Sequence, residues 1–134
     1  MKPLVRTQDE ERIVRDVLSS LLAARGETAT VGVGVPAAWT LSSPTYVQVS
    51  SDGDPVATWP VSTRPTVRVC VWSKSTTTSK ALAGLCMGLL LAYPRNGGMA
   101  GTRFGTGVLS ARDPETRAEL SYVTVGVTLR TIPA

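Results

Sequence analysis

The sequence of 134 residues predicts an α+β fold, a two-layer sandwich in which a mainly antiparallel β-sheet carries two α-helices on one face. Three stretches predict it. Val67, Val69 and Val71 alternate with Arg68, Cys70 and Trp72, the period of an extended strand. Leu82, Leu85, Cys86, Leu89, Leu90 and Tyr93 recur at helical spacing. Val123, Val125, Val127 and Leu129 share one strand face, with Tyr122, Thr124, Gly126, Thr128 and Arg130 on the other. One valine face suffices to pack the helices, and the second sheet face is left for another purpose. A chain of this length fits one domain, residues 1–134, that buries roughly two thirds of its extended surface.

The first helix is marked by Thr7-Gln8-Asp9-Glu10, which has the form of a capping box with Thr7 as N-cap. Asp9, Glu10 and Glu11 place negative charge at the positive end of the helix dipole. Ile13, Val14, Val17, Leu18, Leu21 and Leu22 form one apolar stripe, and Gly26 is the expected stop. The stripe predicts packing on a sheet.

Thr28 to Pro36 follows as a strand in which Val31, Val33 and Val35 alternate with Gly32 and Gly34. The bare backbone at the two glycines permits close approach by another chain or element; a twisted or bulged edge strand explains it equally. Tyr46 to Ser51 is a strand with Val47 and Val49 inward, ending in the turn residues Ser51 to Pro55. The proline-punctuated connectors 36–44 and 55–65 carry Trp39 and Trp59, which suit core lids or contact anchors and in a monomer are both expected to be structural.

Ser73 to Ser79 supplies cap-type hydroxyls before a helix expected over Lys80 to Tyr93. Gly84 and Gly88 clear one ridge of that helix, which predicts close packing on the sheet. The loop Arg95 to Gly107 holds five glycines and two arginines. It follows a helix, enters a strand and has no terminal Lys-Ser/Thr, so it lacks the pattern of a phosphate-cradling loop and suits a partner instead. The chain closes with a hairpin, Thr106 to Arg112 against Ala118 to Thr131, across a type I turn at Asp113-Pro114-Glu115-Thr116.

Charge is unevenly spread. The net charge is +4, yet residues 1–63 hold five positive and seven negative groups, and residues 64–134 hold nine and three. Seven of the nine are arginines, whose planar fork suits phosphate, carboxylate or inter-subunit ion pairs. No aromatic stacking motif or arginine block accompanies them, which argues against nucleic-acid recognition as the main role.

Cys70 and Cys86 match no metal-ligand spacing and read as small buried hydrophobes. The chain has no histidine, which removes Ser-His and Cys-His activation and most zinc chemistry. The carboxylate pairs Asp52 with Asp54 and Asp113 with Glu115 sit in turns and serve turn geometry. Catalytic, metal and cofactor sites are therefore expected to be absent. The uncharged run Ala81 to Tyr93 is 13 residues, short of the ~20 that span a bilayer, and the charged start has no signal-peptide pattern. A soluble protein is expected.

The order of these elements, with Pro65 to Trp72, the helix Lys80 to Tyr93 and Ala118 to Thr131 as its best local carriers, resembles the tail terminator proteins of long-tailed (siphovirus-type) bacteriophages. The resemblance implies a non-enzymatic protein that forms a hexameric ring, caps the tail tube, stops its polymerisation and joins tail to head. It implies as partners further copies of the chain, the major tail tube protein and head-completion or neck proteins, with DNA passing through the lumen without sequence-specific binding and no membrane. The expected location is the head–tail junction of the virion, reached from the host cytoplasm. The alternatives are another neck component, such as a connector protein, and a small basic nucleic-acid-binding module. Candidate partner contacts are Arg95 and Arg103 in the loop, Arg68 and Arg130 on the second sheet face, and the bare backbone at Gly32 and Gly34.

Overall fold

A computed structural model describes residues 3–53, 58–94 and 99–134. In chain order its elements are β1 (Val5–Arg6), α1 (Glu10–Ala24), β2 (Thr30–Val33), β3 (Tyr46–Ser51), β4 (Ser62–Thr63), β5 (Thr66–Ser73), α2 (Thr76–Ala92), β6 (Gly101–Arg112), β7 (Glu119–Arg130) and β8 (Ile132–Pro133). Asp54, Pro55, Arg95, Gly97 and Gly98, all weighed in the sequence, lie outside the described residues.

The main sheet runs β2-β3-β5-β7, with β6 on the far side of β7 and short β4 pairing the end of β7 beyond β5. Every pairing is antiparallel except β2 with β3, which is parallel. β1 and β8 form a separate two-stranded ribbon. Both helices cover one face. Val47 and Val49 of β3, Val67, Val69 and Val71 of β5, and Val123, Val125 and Val127 of β7 are all fully buried there. Val14, Leu18 and Leu22 of α1 and Leu82, Ala83, Cys86 and Leu90 of α2 close the layer. The α+β sandwich expected from the sequence is therefore the observed architecture.

Several local expectations are corrected. The N-cap of α1 is Asp9, not Thr7: its carboxylate accepts from the Arg12 N–H at 3.3 Å. The reciprocal half of a capping box is lost because the acidic side chains turn to β3. Glu11 Oε2 accepts from the Ser51 N–H at 2.9 Å, and Glu10 Oε1 from the Ser51 hydroxyl at 2.7 Å. At the other end Gly26 (φ 78°) donates to Ala23 and Glu27 to Leu22, the bonds of a Schellman stop that a left-handed glycine permits.

α2 begins at Thr76, four residues before the expected start, because Ser75 caps it by accepting from the Thr78 N–H. Thr76 to Ser79 thus form the first turn of the helix, and Ser79 is buried with its hydroxyl 2.5 Å from that of Ser121. Gly84 and Gly88 make no close approach: nothing lies within 4 Å of where a Cβ would stand at either. α2 packs through Leu82, Ala83, Cys86 and Leu90, so its glycines fall away from the sheet.

The glycine-rich stretch is shorter as a loop than expected, since β6 already starts at Gly101. Thr102 donates its hydroxyl to the Leu90 carbonyl at 3.0 Å, which holds the strand against the end of α2. Two register shifts, after Phe104 and after Thr106, bend β6 along β7. The hairpin stands, but its turn closes one residue wider than a type I turn, with Arg117 N–H on the Asp113 carbonyl. The Thr116 amide and hydroxyl both donate to the Asp113 carboxylate, which holds that carboxyl below its ordinary pKa.

The cap assignment has a direct test. Asp9→Ala is expected to lower stability by about 1 kcal/mol, as loss of an N-cap does, whereas Thr7→Ala stays within about 0.5 kcal/mol. Urea unfolding of the two variants followed by circular dichroism measures both.

Candidate functional site

The surface to consider is the helix-free face of the sheet and its two outer strands. Residues of β5 and β7 that alternate with the valines point there: Arg68, Cys70 and Trp72 from β5, Tyr122, Thr124, Gly126 and Thr128 from β7. The face is not uniformly polar, as the sequence suggested. Its upper half, where β5 ends, is a second apolar cluster of Trp39, Trp72 and Ala118 with Tyr46, Cys70 and Leu120 packed around it.

Trp39 comes from the connector after β2 and lies 6.0 Å from Trp72, ring to ring, tilted at 58°. Both indoles are satisfied internally, Trp39 Nε1 by the Pro44 carbonyl at 3.0 Å and Trp72 Nε1 by Gln48 Oε1 at 2.9 Å. Trp39 is thus structural, as expected. Trp59 is 54% exposed and is not a core residue.

The same cluster explains Gly32. A Cβ there would stand 2.9 Å from Tyr46 Cζ, so the bare backbone is occupied by a side chain of this chain. The Tyr46 hydroxyl then donates to the Gly34 carbonyl at 3.1 Å, and burial pushes that phenol above its ordinary pKa. Gly34 has φ 79°, the left-handed region that glycine adopts without strain, and turns the chain away from the sheet. Gly32 is therefore covered, whereas Gly34 shapes a turn and keeps open space beside it, with nothing within 4 Å of where a Cβ would stand.

The arginines separate into different roles. Arg103 is not in a loop but on β6, where its side chain lies across Gly126; a Cβ there would be 2.6 Å from Arg103 Cγ. Arg103 Nη2 donates to the Arg64 carbonyl at 2.8 Å, while its buried Nη1 has no partner among the described residues. This arginine ties β6 to the segment before β5. Arg68 stands half-exposed between Asp52, at 3.3 Å, and the ring of Tyr122, 5.7 Å from its centroid. Exposed pairs of this type are worth ~0–1 kcal/mol, so Arg68 remains available to a partner. Arg130 is exposed at the lower end of β7, where Gln8 donates to its carbonyl. Arg68 and Arg103 thus share the lower half of the face, and Arg95 lies outside the described residues.

Both cysteines are unbridged. Burial pushes the Cys70 thiol up to about 11 and the Cys86 thiol up to about 12, the latter helped by the nearby Glu27 carboxylate. They are held as neutral thiols, as small hydrophobes should be.

Sequence reasoning offered an edge strand at Thr28 to Pro36 as one of two readings and missed the edge at β6. Among the described residues β2 and β6 are each paired on one side only, and both expose apolar side chains. Val33 is 42% exposed at one edge, with Val35, 70% exposed, just past the strand's end; Phe104, Val108 and Leu109 are 62%, 38% and 46% exposed at the other edge. Beside β2 a groove of about 420 Å³ is lined by Thr30, Val33, Val35, Trp39 and Tyr46. A cleft of about 450 Å³ opens above it, between Glu27-Thr28 and the first turns of α2. At β6 nothing in the sequence marked this, since a strand's place at a sheet edge is not written in its period.

Two measurements check these assignments. Arg103→Ala is expected to lower stability by about 1–3 kcal/mol in urea unfolding, because the Arg64 carbonyl loses a charged donor. A thiol reagent at pH 8 is expected to leave both cysteines of the native protein largely unmodified and to titrate two thiols once the chain is unfolded in urea.

No protein-family model matches this chain, and no curated protein is significantly similar to it.

Proposed function

We propose that this protein is a ring-forming structural subunit of the phage tail terminator type. It caps the tail tube, stops its polymerisation and joins the tail to the head or neck. The observation that carries the reading is the pair of open sheet edges, each with exposed valine, leucine or phenylalanine side chains. Monomeric proteins blunt such edges with charge, proline or cover, and long apolar edges are what a subunit of an assembly can use. The lower half of the helix-free face, with Arg68 half-exposed beside Tyr122, adds a basic, aromatic surface for tube or neck proteins. The resemblance of element order to tail terminators points the same way.

Negative-stain images of the purified protein, with and without growing tail tubes, test the reading. Closed rings seated on tube ends, with tubes of arrested length, are the expected result. Single copies beside uncapped, growing tubes overturn it. Rings that leave tube growth unchanged transfer the protein to another neck role. Tight binding to oligonucleotides that weakens steeply with salt identifies a nucleic-acid module instead.

A further inference from the structure

The two open edges are complementary to one another. Strand pairing gives continuous rungs across the sheet: Thr30, Tyr46, Trp72, Leu120 and Ala111 form one, and Gly32, Gln48, Cys70, Tyr122 and Leu109 another. Leu109 therefore lies level with the groove beside β2, on the same helix-free side as Tyr46 and Trp39, which line that groove. β2 descends from Thr30 while β6 rises to Arg112, so a rotation that carries one edge onto the other sets them antiparallel.

The two upper corners that this pairing joins carry opposite charges. Between Gly26 and Pro36 the one charged residue is Glu27, exposed at the upper corner where it lines the cleft above β2. At the upper corner of the opposite edge, the hairpin carries Arg117, exposed and without an ion pair among the described residues, beside the exposed Glu115 and beside Asp113, whose carboxylate is taken up by Thr116.

We propose that copies of this chain join head to tail, β6 of one pairing antiparallel with β2 of the next, Leu109 entering the groove at Trp39 and Tyr46, and Arg117 meeting Glu27. Each contact is heterologous, so the sheet continues from copy to copy, and the ring reading requires a rotation between copies that closes rather than one that runs on as an open filament. The occupant of the β2 groove is thus a second copy of this chain. This rests on the ring reading above and assigns the surfaces that make the ring.

Charge reversal on the full-length protein, read by light scattering after size exclusion and with the fold checked by circular dichroism, tests it. Glu27→Arg alone and Arg117→Glu alone are each expected to reduce the assembly to single copies, and the two together to restore it. A Thr30→Cys, Ala111→Cys double variant, both positions exposed and on one rung, is expected to give a ladder of disulfide-linked copies under mild oxidation. A wild type that forms rings while both single reversals still do, or that is lost in the singles and not recovered in the double, overturns the edge assignment and leaves the ring reading standing. An assembly that stops at two copies overturns it in favour of two-fold pairing. Wild-type single copies, in solution and on tubes alike, sink the ring reading itself.

Discussion

The burial of one valine face by two helices is the constraint on which the rest of this structure depends. Val67, Val69, Val71, Val123, Val125 and Val127 are wholly removed from solvent at the paired centre of the sheet. Each such side chain contributes roughly 1.5–3 kcal/mol relative to exposure. Sliding β5 by one residue would present Arg68, Cys70 and Trp72 to the helices instead, so the register is held strongly. α2 lies over β5, β6 and β7, and its Leu82, Ala83, Cys86 and Leu90 fill the space between them.

Because both helices are spent on that face, the other face must protect itself by different means. Trp39 folds back from the connector after β2 and, with Trp72 and Ala118, shields the upper half. The lower half is held by arginine. Arg103 lies flat over Gly126 and bonds the Arg64 carbonyl, and Arg68 is set between Asp52 and Tyr122. What neither device covers is the pair of outer strands. The apolar side chains at those edges, Val33, Phe104, Val108 and Leu109, stay exposed.

How legible this was in the sequence varies with the kind of feature. The strands Tyr46–Ser51 and Thr66–Ser73 and the apolar stripe of α1 were readable, because a period of two or 3.6 residues is set by local backbone geometry. The helix stop at Gly26 was readable for the same local reason. The capping box at Thr7 was not what formed, since Glu10 and Glu11 found Ser51, about 40 residues away. Arg103 looked like a loop contact because glycines surround it. The ladder to β7 made that segment a strand and turned the arginine onto Gly126.

By itself the sequence determined the fold class, the identity of the valine face and the absence of imidazole chemistry, all of which follow from composition and short-range spacing. Only the tertiary structure decided which backbone is bare and which is covered, which arginines are tied down, and which strands lie at the edges. Those outcomes depend on pairs far apart in the chain, such as Arg103 with Arg64 at a separation of 39 residues or Tyr46 with Gly32 across a parallel ladder. Local periodicity carries no record of such pairs. They are selected when the valine face closes and brings the remaining side chains within reach of one another.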